Sequence, residues 1–254
     1  MGSEQSFFDA FLENFFSFAA MIGANGSTLL FPSGSLAAAS GLPYAGENYA
    51  LFAPEARIEE IPAAIRFFKE QGLPFTVPQF KHMASEFVGA LETCGLAVRQ
   101  NYTAMALRTR SFDRAKADAS FARLGEQDIA AWADTVWEGF GGAPPTPAIY
   151  YPFARHLYET HSNRLSLLKV NSCPASCALL HSGALATGLY YFATVPRFRR
   201  RGVARSHMSA LVGFLADLCD ELVLLATEEG LPFYTDFGFA SVADIPMRSL
   251  SQEL

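Results

Sequence analysis

The first 23 residues of the chain carry apolar side chains at the spacing of one helix face. Six of them follow the i, i+3, i+4 pattern: Phe7, Phe8, Phe11, Leu12, Phe15 and Phe16. The segment has no basic leading stretch and contains Asp9 and Glu13. It therefore predicts a helix docked on a core rather than a signal peptide. No stretch approaches the roughly 20 apolar residues of a membrane span, so we expect a cytoplasmic protein without membrane contact.

The pattern in the second half of the chain alternates between helical and strand spacing. In chain order it predicts a strand start at 120–124, helices at 126–140 and 150–162, strands at 165–170, 176–182 and 184–195, a helix from about 203, a buried strand at 221–227, a short helix and a final strand at 239–250. Short turns join the three middle strands, as in an antiparallel meander. The fold class is therefore α/β (α+β).

The first half gives weaker signals. Helical spacing over 58–72 and 79–95 precedes a strand-like run at 97–108, whereas 23–47 is punctuated by Gly and Ser and no element is assigned there. The segment 108–120 is the most polar in the chain and has the composition of a linker. We predict a domain at 1–110, a linker at 111–118 and a second domain at 119–254.

A faint internal repeat connects the two halves. Residues 91–96 align with residues 234–239, and each segment places a glycine after a helix. A strand with a methionine follows in both copies, Met105 in the first and Met247 in the second.

Composition narrows the possible functions. Half of the 254 residues are apolar and 17% are charged, which excludes a disordered chain. A net charge of −6 disfavours a general nucleic-acid binder, because such domains carry a basic face. The four cysteines form neither a disulfide framework nor the paired pattern of a zinc site, so we expect no metal.

The exception to the acidic balance is the run "VPRFRRRGVARSHM" at 195–208. Five of the chain's 19 lysines and arginines lie in nine residues around Gly202: Arg197, Arg199, Arg200, Arg201 and Arg205. The run joins a predicted strand end to a helix start. Such a loop presents unpaired amides and the positive end of a helix dipole to one spot, which suits a pyrophosphate. Some of the arginines, Arg197 and Arg201 above all, could instead serve only the surface.

The loop is not a Walker loop or a dinucleotide fingerprint, because both patterns are missing. Arg199-x-x-Gly202-x-Ala204 resembles the acetyl-CoA loop of the GNAT superfamily of N-acyltransferases, and "YTDFGF" at 234–239 resembles the Y-x-x-x-G-F that closes its core. The resemblance covers residues 119–254. It implies a mixed, mostly antiparallel central sheet flanked by helices, with a smaller, partial and degenerate GNAT-like domain before it. That first domain has Leu91 in place of Tyr234 and no arginine–glycine loop, so we expect it to be catalytically silent.

The resemblance also implies roles for individual residues. Backbone groups at the end of the fourth strand would hold acetyl-CoA and polarise its thioester: Phe192, Ala193 and Thr194. The amides of the arginine loop would hold the pyrophosphate: Arg200, Arg201, Gly202, Val203, Ala204 and Arg205. Arg199, at the start of the motif, would also bind the cofactor. Tyr234 would donate a proton to the leaving thiolate. Glu228, or Glu229 beside it, would serve as base for the amine. His181, placed in a turn, and His207, on a helix face, are weaker candidates.

The identity of the acceptor and the class of protein stay open at this point. The loop "FGGAPPTPAIYYPF" (140–153) lacks acids and suggests an apolar or aromatic amine, either a small molecule or a peptide end. A non-catalytic acyl-CoA-binding or interaction protein on the same fold is the alternative. Nucleic-acid binding through the arginines is the third possibility and the one we least expect. A homodimer is possible.

Overall fold

A computed structural model of the chain describes residues 2–112 and 123–250. The chain divides into two compact units. The first consists of Met1–Asn14, Met105–Leu225 and Phe233–Ala240, and the second of Phe15–Ala104, Ala226–Pro232 and Ser241–Leu254. Residues 113–118 of the predicted linker lie outside the described residues, and the predicted domain boundaries stay a prediction.

The described residues form seven α-helices and ten strands. Its first half contains α1 (Gly2–Gly23), β1 (Ser27–Leu30), β2 (Leu36–Ala39), β3 (Asn48–Leu51), α2 (Glu60–Gln71), β4 (Val77–Pro78), α3 (Ser85–Thr93) and β5 (Leu96–Arg108). Its second half contains α4 (Ile129–Gly139), α5 (Tyr150–Glu159), β6 (Asn163–Val170), β7 (Cys173–Ser182), β8 (Thr187–Thr194), α6 (Val203–Leu215), β9 (Glu221–Thr227), α7 (Leu231–Phe237) and β10 (Ala240–Leu250).

The first unit is built on a mixed, mostly antiparallel sheet with helices packed on it. Its strands follow the order β5, β9, β8, β7, β6. The pairs β6–β7 and β7–β8 are antiparallel, and β8–β9 is parallel. Helices α4 and α6 both pack on β7 and β8. The indole of Trp132, buried beneath α4, donates a hydrogen bond to the carbonyl of Ala178 at 3.1 Å.

Helix α1 docks on the β7–β8 hairpin through Asn14. Its buried amide donates to the carbonyls of His181 and Ala186 at 3.1 and 3.0 Å and accepts from the Tyr190 hydroxyl at 2.8 Å. Gly188 leaves the space that this side chain occupies, because a Cβ at that position would lie 2.0 Å from the Asn14 oxygen.

The second unit holds the antiparallel sheet β1-β2-β3 and the strand order β4, β10, β5. Aromatic rings fill its core, with Phe68 stacked on Phe75 at 4.4 Å between ring centroids. Helix α2 ends at Gly72, whose φ of +66° is the left-handed conformation of a helix C-cap.

Most of the predicted elements are confirmed. The helix predicted at 79–95 begins only at Ser85, because Gln79 pairs its amide with the carbonyl of Pro246 and its side chain with Arg248, both at 2.8 Å. Strands β1, β2, β3 and β4 lie where no element was assigned. Of the strand start predicted at 120–124, residues 120–122 lie outside the described residues, and Arg123 forms a bridge with Ser166.

Candidate active site

Strand β8 is bulged near its C-terminal end. Cys177 of β7 pairs with Ala193, whereas Leu179 pairs with Tyr190, so β8 carries one more residue than its partner. Tyr191 occupies the bulge with a φ of +49°, the left-handed region that a non-glycine residue rarely adopts. The bulge turns the end of the strand away from the regular ladder.

The backbone of Phe192 points away from β7. Val195 donates its amide to the carbonyl of Ala175 at 3.0 Å, and the bonding side alternates along an antiparallel strand, so Ala193 also faces β7. Phe192 and Thr194 therefore direct their amides and carbonyls to the opposite edge. On that edge, paired residues of β8 and β9 run only from Thr187 to Leu189. The last part of β8 thus offers backbone groups that the β9 ladder does not use.

The loop between β8 and α6 presents a row of free amides. Gly202 precedes the helix with a φ of +77°, and Arg200 is also left-handed at +57°. Among the described residues, none of the amides from Arg200 to Arg205 donates a backbone hydrogen bond. A Cβ on Gly202 would meet nothing within 4 Å, so space is open beside this residue. Unpaired amides and the positive end of a helix dipole are together suited to an anion.

The five arginines of the run have different surroundings. Arg199 donates through Nε to the Thr194 carbonyl at 2.9 Å and through Nη2 to the Gly139 carbonyl at 2.7 Å. The guanidinium of Arg197 forms an ion pair with Glu138. The other three are placed as follows: Arg205 lies 5.8 Å above the ring of Phe237, and Arg200 and Arg201 are exposed and have no side-chain partner among the described residues.

Tyr234 is fixed by the end of α7. Gly238, with a φ of +116°, ends the helix, and the amide of Phe239 donates back to the Tyr234 carbonyl at 3.0 Å. The Tyr234 ring lies 6.4 Å from that of Phe192, which brings two predicted site residues together. Among the described residues its hydroxyl has no hydrogen-bond partner. Burial raises the pKa of this hydroxyl above its usual value, so Tyr234 stays protonated at any working pH.

Glu228 and Glu229 occupy the turn that follows β9, and both are exposed. They belong to the second unit, whereas the strand end, the loop and Tyr234 belong to the first. The assignment of Glu228 as a base stays a prediction.

His207 is buried in α6 and joins a chain of hydrogen bonds. Ser176 donates its hydroxyl proton to the Ala193 carbonyl at 2.7 Å, so it must accept from Nδ1 of His207 at 2.9 Å. Nε2 then accepts from Ser166 at 2.8 Å. Burial lowers the pKa of His207 to about 4, so the ring is neutral, and both of its nitrogens are already occupied.

His181 lies within β7, so its predicted position in a turn is wrong. Its Nδ1 lies 2.8 Å from the side-chain oxygen of Asn163, and burial lowers its pKa to about 4. Hydrophobic spacing gives no sign of the His207 hydrogen bonds, the Arg199 contacts or the bulge, because each depends on residues that the fold brings together from separate elements.

Solved N-acetyltransferase structures resemble this chain over nearly its whole length. A GCN5-related N-acetyltransferase from Kribbella flavida gives a TM-score of 0.65 at 14% sequence identity, covering 94% of this chain and 96% of that one. The fold is that of the GNAT superfamily. A GCN5-related N-acetyltransferase from Sphaerobacter thermophilus gives a TM-score of 0.56 at 12% identity, covering 87% of this chain and 78% of that one. A functionally unknown conserved protein from Staphylococcus epidermidis ATCC 12228 gives 0.62 at 13% identity, covering 89% and 94%. No family model matches the sequence, and no curated protein matches it.

The predicted GNAT fold is thus confirmed, and its likeness to the Kribbella flavida structure extends well beyond residues 119–254. The tandem arrangement with a degenerate first copy stays a prediction. Among the described residues, no cluster of three or more potential His, Cys, Asp or Glu ligands could hold a metal ion. No helix in the same residues is both long and apolar enough to cross a membrane.

Proposed function

We propose that this chain is an N-acetyltransferase that moves an acetyl group from acetyl-CoA to a primary amine, by direct attack within a ternary complex. One observation carries the proposal: the amides from Arg200 to Arg205 are free of backbone partners at the start of α6. Six adjacent donors at a helix N-terminus are suited to a pyrophosphate, the charged centre of CoA. The GNAT fold supports the same interpretation.

The surrounding residues fit the rest of such a ligand. Gly202 leaves room for close approach of a phosphate, and the exposed guanidinium groups of Arg200 and Arg201 can reach further phosphate oxygens. The backbone of Phe192 and the amide of Thr194 can pair with amide groups of an extended ligand, as another strand would, whereas the Thr194 carbonyl is already bonded to Arg199.

Acetyl-CoA would supply an activated thioester, and the chain's residues would guide its transfer. The amide of Phe192 can polarise a carbonyl oxygen at the end of β8. The Tyr234 hydroxyl holds a proton for a departing thiolate. Its raised pKa makes it a weaker acid than the unperturbed phenol that the sequence suggested, so it releases the proton only to a strong base beside it. Glu228 would receive the proton of the amine.

The acceptor loop, which we define as residues 140–149, indicates an apolar or aromatic amine. Phe140 and Ile149 are exposed to 62% and 46%, and the loop contains no charged residue. Turnover of a panel of amines tests this proposal. Preference for aromatic amines supports it, and exclusive acetylation of polycationic amines contradicts it.

A non-catalytic acyl-CoA-binding protein is the second candidate, favoured by one observation. Strand β9 contains no carboxylate beyond Glu221 at its start, and Glu228 is exposed in the turn after it. Turnover in the presence of a suitable amine separates the two functions.

The experiment that tests the proposal is calorimetric titration of acetyl-CoA and CoA into the wild-type chain, Gly202→Glu and a matched control. Gly72→Glu is that control: both glycines are exposed, have positive φ and leave open space for a Cβ. Each variant therefore adds the same charge and a similar backbone strain. We expect wild type and Gly72→Glu to bind at micromolar concentration and Gly202→Glu to lose about 100-fold or more in affinity, about 3 kcal/mol. Wild type that does not bind at millimolar acetyl-CoA, or two variants that lose affinity equally, would contradict the proposal.

A further inference from the structure

Helix α4 ends in a way that leaves one carbonyl for a side chain. Gly141, with a φ of +90°, donates its amide to the Glu138 carbonyl at 3.1 Å, and Gly142 donates to the Trp137 carbonyl at 2.8 Å. These two bonds are the Schellman motif. Among the described residues, no backbone amide reaches the carbonyl of Gly139.

The guanidinium of Arg199 takes up this carbonyl and a second one. Its Nη2 bonds the Gly139 oxygen at 2.7 Å, while Nε bonds the Thr194 oxygen at 2.9 Å. The planar guanidinium fixes the directions of both bonds, and its positive charge lies at the negative end of the α4 dipole. One side chain of the arginine run thus connects the end of α4 to the end of β8.

Two further contacts strengthen the connection. Arg197 forms an ion pair with Glu138 in the last turn of α4. A Cβ on Gly139 would lie 2.7 Å from that of Ala193, so helix and strand are in close contact here. The end of α4 therefore cannot shift without disturbing the strand end and the start of the arginine run.

The acceptor loop is attached to the same helix turn. The indole of Trp137 donates to the Ala143 carbonyl at 2.7 Å and lies against Gly142, where a Cβ would approach the ring to 2.3 Å. The first residues of the loop are thereby held by the turn whose last carbonyl Arg199 binds.

We infer that Arg199 is a positioning residue that couples cofactor binding to the order of the acceptor loop. The inference rests on the proposed function. An anion bound by the amides of 200–205 fixes the backbone next to Arg199 and hence its guanidinium. The guanidinium fixes Gly139, and Trp137 extends that restraint into the loop. Because coupling between two sites is reciprocal, an ordered acceptor loop also strengthens cofactor binding.

Hydrogen exchange with CoA as the probe tests the coupling without an acceptor. In the wild type, saturating CoA should slow exchange of the acceptor-loop amides by about fivefold or more, the lower end of common coupling energies. In Arg199→Met, CoA still binds by calorimetry but leaves the loop amides unchanged. Arg201→Met is the matched control: it lowers CoA affinity, yet at saturation the loop is protected as in wild type.

The possible results distinguish failure of the proposed function from failure of the inference. If wild type binds no CoA, the proposed function and the inference both fail. If wild type binds CoA but its loop amides do not respond, or if Arg199→Met protects the loop as wild type does, only the inference is overturned. Should Arg199→Met fail to fold, Arg199→Lys replaces it, because a single ammonium cannot reproduce the paired bonds of the guanidinium. We expect Lys to give less than half of the wild-type protection, and full protection by Lys would overturn the inference.

Discussion

At the residue scale, the variant Tyr234→Phe removes one oxygen atom from a ring that otherwise keeps its packing. The ring contacts with Phe192 and Phe239 do not involve the hydroxyl, so CoA affinity should change little. If the hydroxyl gives its proton to the leaving thiolate, kcat should fall by about 100-fold, the usual contribution of a general acid. Steady-state kinetics and calorimetry on the same samples measure both quantities.

Tyr102→Phe is the control for that experiment. Its hydroxyl bonds Gln100 at 2.9 Å in β5, within the second unit, and its removal should leave kcat unchanged. A Tyr234→Phe enzyme with wild-type kcat would show that the tyrosine serves packing alone.

Two buried histidines make the stability of the first unit depend on pH. His181 and His207 each have a pKa near 4 in the folded chain, below the value of about 6.5 expected when unfolded. Between these values the unfolded chain binds more protons, so the free energy of unfolding falls as pH decreases from 6.5 toward 4. From pH 7 to 5.5 the loss should be about 1 kcal/mol for each histidine.

Urea unfolding at pH 7 and 5.5 measures this loss, and His207→Leu assigns it. Both tryptophans, Trp132 and Trp137, belong to the first unit, so their fluorescence follows its unfolding. The variant should lose about 1–3 kcal/mol at pH 7, because Ser166 is left without its acceptor. Its further loss at pH 5.5 should be about half that of wild type, since His181 remains. An unchanged pH dependence would rule out His207 as one of the two groups.

At the scale of elements, the docking of α1 on the β7–β8 hairpin depends on Asn14 and Gly188. Asn14→Ala leaves two carbonyls and a hydroxyl without their partner and should cost about 2–4 kcal/mol. Gly188→Ala forces a Cβ into the Asn14 oxygen and should cost about 1–3 kcal/mol. The double variant should cost less than the sum, because removing the amide makes room for the methyl group. Additive losses in urea unfolding would show that the two residues act independently.

Hydrophobic spacing predicted the elements well wherever one face is strongly apolar. Helix α6 begins at Val203 as predicted, and β9 is the compact buried strand that its sequence indicates. Strand β2 was not predicted, because its sequence is Leu-Ala-Ala-Ala and alanine has little intrinsic preference for strands. All four residues are nevertheless buried. Residues 79–84 follow a helical pattern, but Gln79 is bonded to Pro246 and Arg248, which lie far away in the sequence. The residues after it form a turn, in which the Met83 amide donates to the Phe80 carbonyl.

The candidate site was predictable to the extent that its motif is local. The loop from Arg199 to Arg205 and the turn after Tyr234 are contiguous in sequence, so their positions between strand and helix could be inferred. The roles of individual arginines could not be inferred, because Arg199 donates a hydrogen bond to Gly139, a residue 60 positions earlier. The same limit applies to His207, whose partners lie on β6 and β7.

At the scale of the whole molecule, a basic run on a chain of net charge −6 argues against nucleic-acid binding. Arg197 and Arg199 are already engaged by protein acceptors, which leaves few free cations for a phosphate backbone. Fluorescence anisotropy with labelled single-stranded and duplex DNA should show no binding near 150 mM salt. Binding at that salt, with a steep decrease as salt rises, would contradict this prediction.

The two halves of the chain share one structural sequence, in support of the proposed tandem arrangement. Helix α3 leads through Gly95, with a φ of +83°, into β5, and α7 leads through Gly238 into β10. Leu91, fully buried, aligns with Tyr234. We propose that the first half is a degenerate copy of the second, in which a core residue replaces the phenol, and that it is catalytically silent.

The left-handed conformations of Tyr191 and Arg200 set a limit on how this chain can be engineered. Each costs a non-glycine residue about 1–2 kcal/mol, and each lies in the backbone that shapes the strand end or the amide row. At Arg200, which is exposed, directed evolution for heat resistance should favour glycine, because glycine accepts this conformation without strain. At Tyr191 it should keep the ring, which packs on Trp132 and Phe153. Glycine at Arg200 also loosens the backbone that holds the amides in place, so selection for thermostability and selection for turnover will favour different residues there.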